Sequence, residues 1–95
     1  MTVYFIQAGG KRSPVKIGFS SNVNGRLSQL DRYHHSECRI IREIPGARRT
    51  EMWLHKHFAH KHMRREWFRF APEMLTVQPP EIEERAPRLR CPAAR

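Results

Sequence analysis

The sequence has little cysteine: two residues, Cys38 and Cys91, lie far apart, the second within a proline-rich stretch. That is too few for a disulfide framework and suggests a reduced, cytoplasmic setting. No apolar run approaches the ~20 residues a membrane-spanning helix needs, and no signal peptide is visible. No segment repeats. Acid is scarce, with nine Asp and Glu against 18 Lys and Arg, a net charge of +9. These shortages speak against a secreted scaffold, a membrane helix or a repeat array. With 95 residues there is room for one domain with a modest core.

The basic excess is unevenly placed. Residues 1–70 hold 14 Lys and Arg and 5 Asp and Glu, so they carry all of it, whereas residues 71–95 balance 4 against 4. A basic folded surface attracts polyanions by releasing their counterions. The expected partner is nucleic acid. The expected contacts are Lys11, Arg12, Arg48, Arg49, Lys56, Arg64 and Arg65.

The pattern of elements predicts an α+β domain. Val3 to Gln7 is β-branched and aromatic and ends at Gly9 and Gly10. Val15 to Phe19 is a second strand, with Val15, Ile17 and Phe19 on one face and Lys16 and Gly18 on the other. Residues 8–14 close the hairpin. A helix over residues 22–32 follows, with Ser21 as N-cap and Val23, Leu27 and Leu30 as its apolar stripe. Cys38 to Ile44 is a third strand, and residues 47–61 a second helix with Leu54 and Phe58 facing inward. Trp67, Phe68 and Phe70 fold back onto the sheet. The expected architecture is a small three-stranded, mainly antiparallel sheet flanked by helices. Five of the seven prolines fall in residues 71–95, read as an extended or disordered tail with a short helical turn near residues 81–86.

Several residues fit this scaffold awkwardly. Tyr4 and Lys16 sit on neighbouring strands and can share a face. Gly18 interrupts a strand, which marks a close approach by another group. Arg26 lies one residue before the apolar Leu27, at the edge of the buried stripe, where its planar fork suits a phosphate. Glu51, His55 and Phe58 fall at i, i+4 and i+7, so a carboxylate lies in line with a buried aromatic. One carboxylate is enough for magnesium, which keeps several waters and takes phosphate oxygens as further ligands. His55, His57, His60 and His62 crowd the second helix, but their spacing is poor for zinc and HExxH is absent.

"VYFI", "VKIGFS", Arg26 in "NGRLSQL", Glu51 and His55 in "EMWLHKHF", and "EWFRF" together resemble the GIY-YIG nuclease superfamily. The nearest pattern is a small phage and bacterial branch whose second motif reads KIG. The resemblance covers residues 2–70, which makes residues 1–70 the expected nuclease domain. It implies metal-dependent hydrolysis of DNA phosphodiesters, with one Mg²⁺ or Mn²⁺ held by Glu51. By position, Tyr4 is the tyrosine of the first triad, Gly18 the glycine of the second and Arg26 the family arginine. Val3 stands where the first triad has its glycine, Lys16 replaces a tyrosine, and Leu30 stands where a histidine often follows the arginine. His55 is the expected substitute polar group. Tyr4 is expected to orient or deprotonate water, with Lys16 lowering its pKa or contacting the phosphate.

Two other readings share these residues. A non-catalytic basic module would bind nucleic acid and cut nothing. A protein partner could dock on the proline-rich tail. A homodimer, with Trp53 as a contact, would supply two active sites.

Overall fold

The computed structural model describes residues 1–33 and 37–81. Strand β1 (Thr2–Ala8) and β2 (Val15–Ser20) form the hairpin. Helix α1 (Val23–Tyr33), β3 (Cys38–Pro45) and α2 (Arg48–His57) follow. Two short strands, β4 (His62–Arg64) and β5 (Trp67–Phe68), lie between two 3-10 turns, Ala59–Lys61 and Pro72–Leu75. The domain is α+β. Among the described residues no helix is long and apolar enough to cross a membrane. His34 and His35, residues 82–95 and most of the expected turn at 81–86 lie outside the described residues.

The sheet has five strands rather than the expected three, in the order β3-β1-β2-β5-β4, and every pairing is antiparallel. The aromatic return segment does more than cover the sheet. Trp67 pairs with Lys16 and Phe68 with Val15, so the segment extends the sheet past β2. To reach that edge, the chain leaves the helix at Phe58, short of the expected residue 61. Phe58 has φ −102° and ψ 20°, and its carbonyl accepts from the Lys61 N–H at 2.8 Å.

Strand β1 reads apolar without alternation because helices cover both its faces. Val3 and Phe5 face the larger core with Val15, Ile17, Ile44, Leu54, Phe58 and Phe68. Tyr4 and Ile6 face the other side, with Cys38 and the α1 stripe of Val23, Leu27 and Leu30. The cap of α1 is Asn22 rather than Ser21: Asn22 Oδ1 accepts from the Gly25 N–H at 3.0 Å.

The folded part continues past residue 70. Ala71, Met74 and Val77 are buried in the larger core. They recur every three residues, the period of a 3-10 turn. Arg42 Nη1 donates to the Met74 carbonyl at 3.2 Å, and His57 Nε2 donates to Glu73 Oε2 at 2.6 Å. This segment therefore belongs to the domain and not to an extended tail.

Candidate active site

At the end of the hairpin away from its loop, an open cleft of about 410 Å³ is lined by Met1, Tyr4, Lys16, Phe19, Ser20, Ser21, Arg26, Glu51 and Glu66. Tyr4, Lys16, Arg26 and Glu51 come from two strands and two helices, and the fold brings them together here. Strand topology explains how. β5 flanks β2 only at Val15 and Lys16. Beyond Ile17 that edge of β2 is open, and Glu51 from α2 meets Tyr4 there although their elements pack on opposite faces of the sheet.

Tyr4 pairs with Gly18 across the hairpin. A Cβ on Gly18 would lie 2.5 Å from Tyr4 Oη and 2.7 Å from its Cζ. The close approach signalled by this glycine is therefore made by the Tyr4 ring, which lies across the β2 backbone. The ring is almost wholly buried, 3% exposed. Burial pushes the phenol pKa upward, and the carboxylates of Glu66 and Glu51 push the same way against Arg26. This is the reverse of the lowering by Lys16 expected from sequence. The Lys16 ammonium is engaged elsewhere: Nζ lies 3.0 Å from Glu66 Oε1 and 5.9 Å from the centre of the Trp67 ring.

Glu51 is 9% exposed. It lies in the first turn of α2, where the helix dipole favours negative charge. Burial nevertheless raises its pKa, the Glu66 carboxylate adds to the rise, and His55, Arg48 and Lys16 oppose it. Among the described residues its one ion-pair partner is His55, with Nε2 3.9 Å from Glu51 Oε2, too far for a hydrogen bond. Arg26 is exposed, and its Nη1 donates to Gln29 Oε1 at 3.3 Å.

His55 does not line the cleft. Its Nε2 donates to the Ile17 carbonyl at 2.9 Å, and its ring packs 5.0 Å from Phe68. Ile17 is where β5 stops: its N–H is taken by the Glu66 carbonyl at 3.0 Å. The carbonyl on that edge falls to His55, so the geometry makes His55 a positioning residue that ties α2 to β2 beneath Glu51.

The seven basic residues expected to touch nucleic acid are distributed over the hairpin loop, α2 and the turn before Glu66. Lys11 and Arg12 lie in the β1–β2 loop, at the far end of the hairpin from the cleft. Arg48 is close enough to Glu51 to lower its pKa, and Arg64 and Arg65 lead directly into Glu66. Arg49 and Lys56 line a shallow depression with Met52 and Trp53 on α2. Trp53 is half-buried and stacks on His57, with ring centres 4.9 Å apart.

Two polar groups were not anticipated from sequence. Glu66 brings a second carboxylate to the cleft. Gln7, 2% exposed, orders the hairpin loop: its Nε2 donates to the carbonyls of Lys11 and Ser13, and its Oε1 accepts from Arg39.

The donor set suits a hard cation. Among the described residues no group of three His, Cys, Asp or Glu could cage a metal. A cation here would take one or two carboxylates and complete its shell with water or phosphate oxygens, which is the habit of magnesium.

Fold and cleft together describe a small basic α+β domain with an open cleft lined by a phenol, basic groups and carboxylates. The sequence profile of the T5orf172 domain matches residues 1–83, and the chain belongs to that family, a nuclease-related domain family of phages and bacteria. The match runs through the 3-10 turn at Pro72–Leu75, consistent with a domain that extends past residue 70. No curated protein and no solved structure matched the chain in the same comparisons.

Proposed function

We propose that the protein is a divalent-metal-dependent endonuclease that hydrolyses DNA phosphodiester bonds, working in the manner of GIY-YIG nucleases with a KIG second motif. The observation that supports this most is the setting of Glu51. A buried carboxylate kept for structure is normally closed by a cation or hydrogen-bond donors. Glu51 instead meets the open cleft beside Tyr4, Lys16 and Arg26, with no cation at hydrogen-bonding distance among the described residues.

Glu51 would hold Mg²⁺ or Mn²⁺, one ion per site. When bound, the ion supplies Lewis-acid polarisation of the phosphodiester and eases departure of the leaving oxygen. The chain supplies the rest. Arg26 offers two parallel N–H donors to the non-bridging phosphate oxygens, where negative charge builds as water attacks. Lys16 adds a point charge on the strand side. Tyr4 keeps its proton at neutral pH, so its hydroxyl donates to a phosphate oxygen or orients the attacking water. It is not a phenolate base in this reading. Gly18 lets the phenol ring lie close over β2, and His55 fixes the height of Glu51 on α2.

Supercoiled plasmid incubated with Mg²⁺ or Mn²⁺ tests the proposal. The expected result is nicking that a chelator stops. Glu51→Ala and Arg26→Ala should each cost roughly 10²–10³-fold, the loss typical of one preorganised electrostatic group. Nicking unchanged in both variants would remove these assignments. Salt-sensitive DNA binding with no metal-dependent nicking would instead favour the non-catalytic module.

A further inference from the structure

Lys16 and Glu66 form an ion pair inside the cleft, with Nζ to Oε1 3.0 Å. Glu66 is fixed there by more than charge. Its backbone carbonyl accepts from the Ile17 N–H at 3.0 Å, which pins it beside Lys16 on β2. The turn before it places Arg65 at φ 53°, a left-handed conformation uncommon for a non-glycine residue. The Arg65 carbonyl is held by His62 Nε2 at 2.7 Å. The turn thus accepts some backbone strain, and Glu66 emerges from it at the mouth of the cleft. The pair is partly wet, with the Lys16 side chain 21% and the Glu66 side chain 42% exposed. Exposed pairs of this kind are weak and easily exchanged.

We propose that Glu66 is the resting counter-ion of Lys16, and that nucleic acid binds by partner exchange, the ammonium leaving the Glu66 carboxylate for a phosphodiester oxygen. Glu66 is then a positioning residue that sets how tightly the cleft holds a polyanion. This rests on the cleft being a phosphate-binding site. The exchange has a particular thermodynamic consequence. A free lysine that meets a phosphate releases a counterion from the nucleic acid. A lysine that leaves a carboxylate to do so uncovers a negative charge, which recruits a cation from solution. The two effects cancel, so Lys16 adds little to the salt dependence of binding by the natural protein. The uncovered carboxylate also repels the phosphate that displaced it.

Glu66→Gln separates these effects, since the amide keeps the length and hydrogen-bonding reach of the carboxylate and removes its charge. Binding of a labelled DNA duplex is measured by fluorescence anisotropy in chelator, across a range of salt, for the natural chain, Glu66→Gln, Lys16→Gln and the double variant. Glu66→Gln should bind about 3- to 10-fold more tightly at low salt, the scale of a partly exposed ion pair. Its log–log salt slope should steepen by about one, the signature of one further lysine–phosphate contact. In the Lys16→Gln background the Glu66 change should lose most of this effect. Glu66→Ala, which leaves no side chain to hold the ammonium, should shift affinity in the same direction. Equal or weaker binding by Glu66→Gln overturns the proposal, as does an undiminished gain without Lys16. Nicking is scored separately. A chain that nicks plasmid but shows no Glu66 effect keeps the nuclease reading and loses the exchange. A chain that shows the Glu66 effect but never nicks does the reverse.

Discussion

Two buried polar side chains stand at opposite ends of the β1–β2 hairpin, and the protein treats them differently. Gln7, at the loop end, donates to two carbonyls and accepts from Arg39, whose Nη1 also donates to the Gly9 carbonyl at 2.7 Å. Glu51, at the cleft end, has His55 at 3.9 Å as its ion-pair partner among the described residues and Glu66 as an unfavourable neighbour. Burying a polar group is tolerable when its hydrogen bonds are made and costly when they are not. One end of the hairpin is therefore finished as structure. The other is left short of partners, the condition in which a site can still take a ligand.

The largest test of this contrast is in activity. Glu51→Gln should lower plasmid nicking by roughly 10²–10³-fold while the protein remains folded by circular dichroism. Gln7→Ala should leave the nicking rate of the folded fraction within a few-fold. If the two changes reduced nicking alike, the division between a structural and a functional end would fail. Gly18→Ala falls between them. The added methyl meets Tyr4 Oη and Cζ, and overpacking of this kind costs about 1–3 kcal/mol. Because the ring displaced belongs to a residue that lines the cleft, nicking should fall together with stability. Full activity in Gly18→Ala would show that the position of the phenol does not matter.

Stability should reverse the ranking. Gln7→Ala strands two loop carbonyls and the Arg39 guanidinium, a loss of about 1–3 kcal/mol in urea unfolding. Glu51→Gln should lose nothing, because the amide carries no charge for the fold to bury. A Gln7→Ala protein as stable as the natural chain would mean that water satisfies the loop equally well.

Much of the cleft could be read from the sequence, because its residues break regular patterns. Lys16 and Gly18 alternate with Val15, Ile17 and Phe19. Arg26 borders a leucine stripe, and Glu51 shares a helical line with Phe58. What escaped has physical causes too. β5 is two residues long and β4 three, too short for any period to show. The turn that delivers Glu66 reads Arg64, Arg65, Glu66, Trp67, without the Gly or Asn that usually announces a tight hairpin. Ala71, Met74 and Val77 keep a period of three, which neither a helix nor a strand template detects, so the apolar pattern shows no boundary beyond residue 70. The direction of the Tyr4 shift comes first from burial of its ring and then from Glu66, and no pattern in the sequence shows either.

The smallest expected effect concerns pH. Burial and Glu66 hold the Glu51 carboxyl above its ordinary pKa, so the folded chain binds this proton more tightly than the unfolded chain does. The stability this contributes is fully present below the unfolded pKa and is lost as pH rises through the folded one. Above the folded pKa the carboxylate is ionised in both states, and the fold bears the cost of burying it. Glutamine does not titrate and carries no such cost. In chelator, Glu51→Gln should therefore melt above the natural chain at pH 7, and the gap should close as pH falls through the carboxylate range. The other titrating groups largely cancel in the difference between the two proteins. A gap that widened toward acid would mean that Glu51 is held by favourable contacts after all, and the contrast with Gln7 would lose its basis.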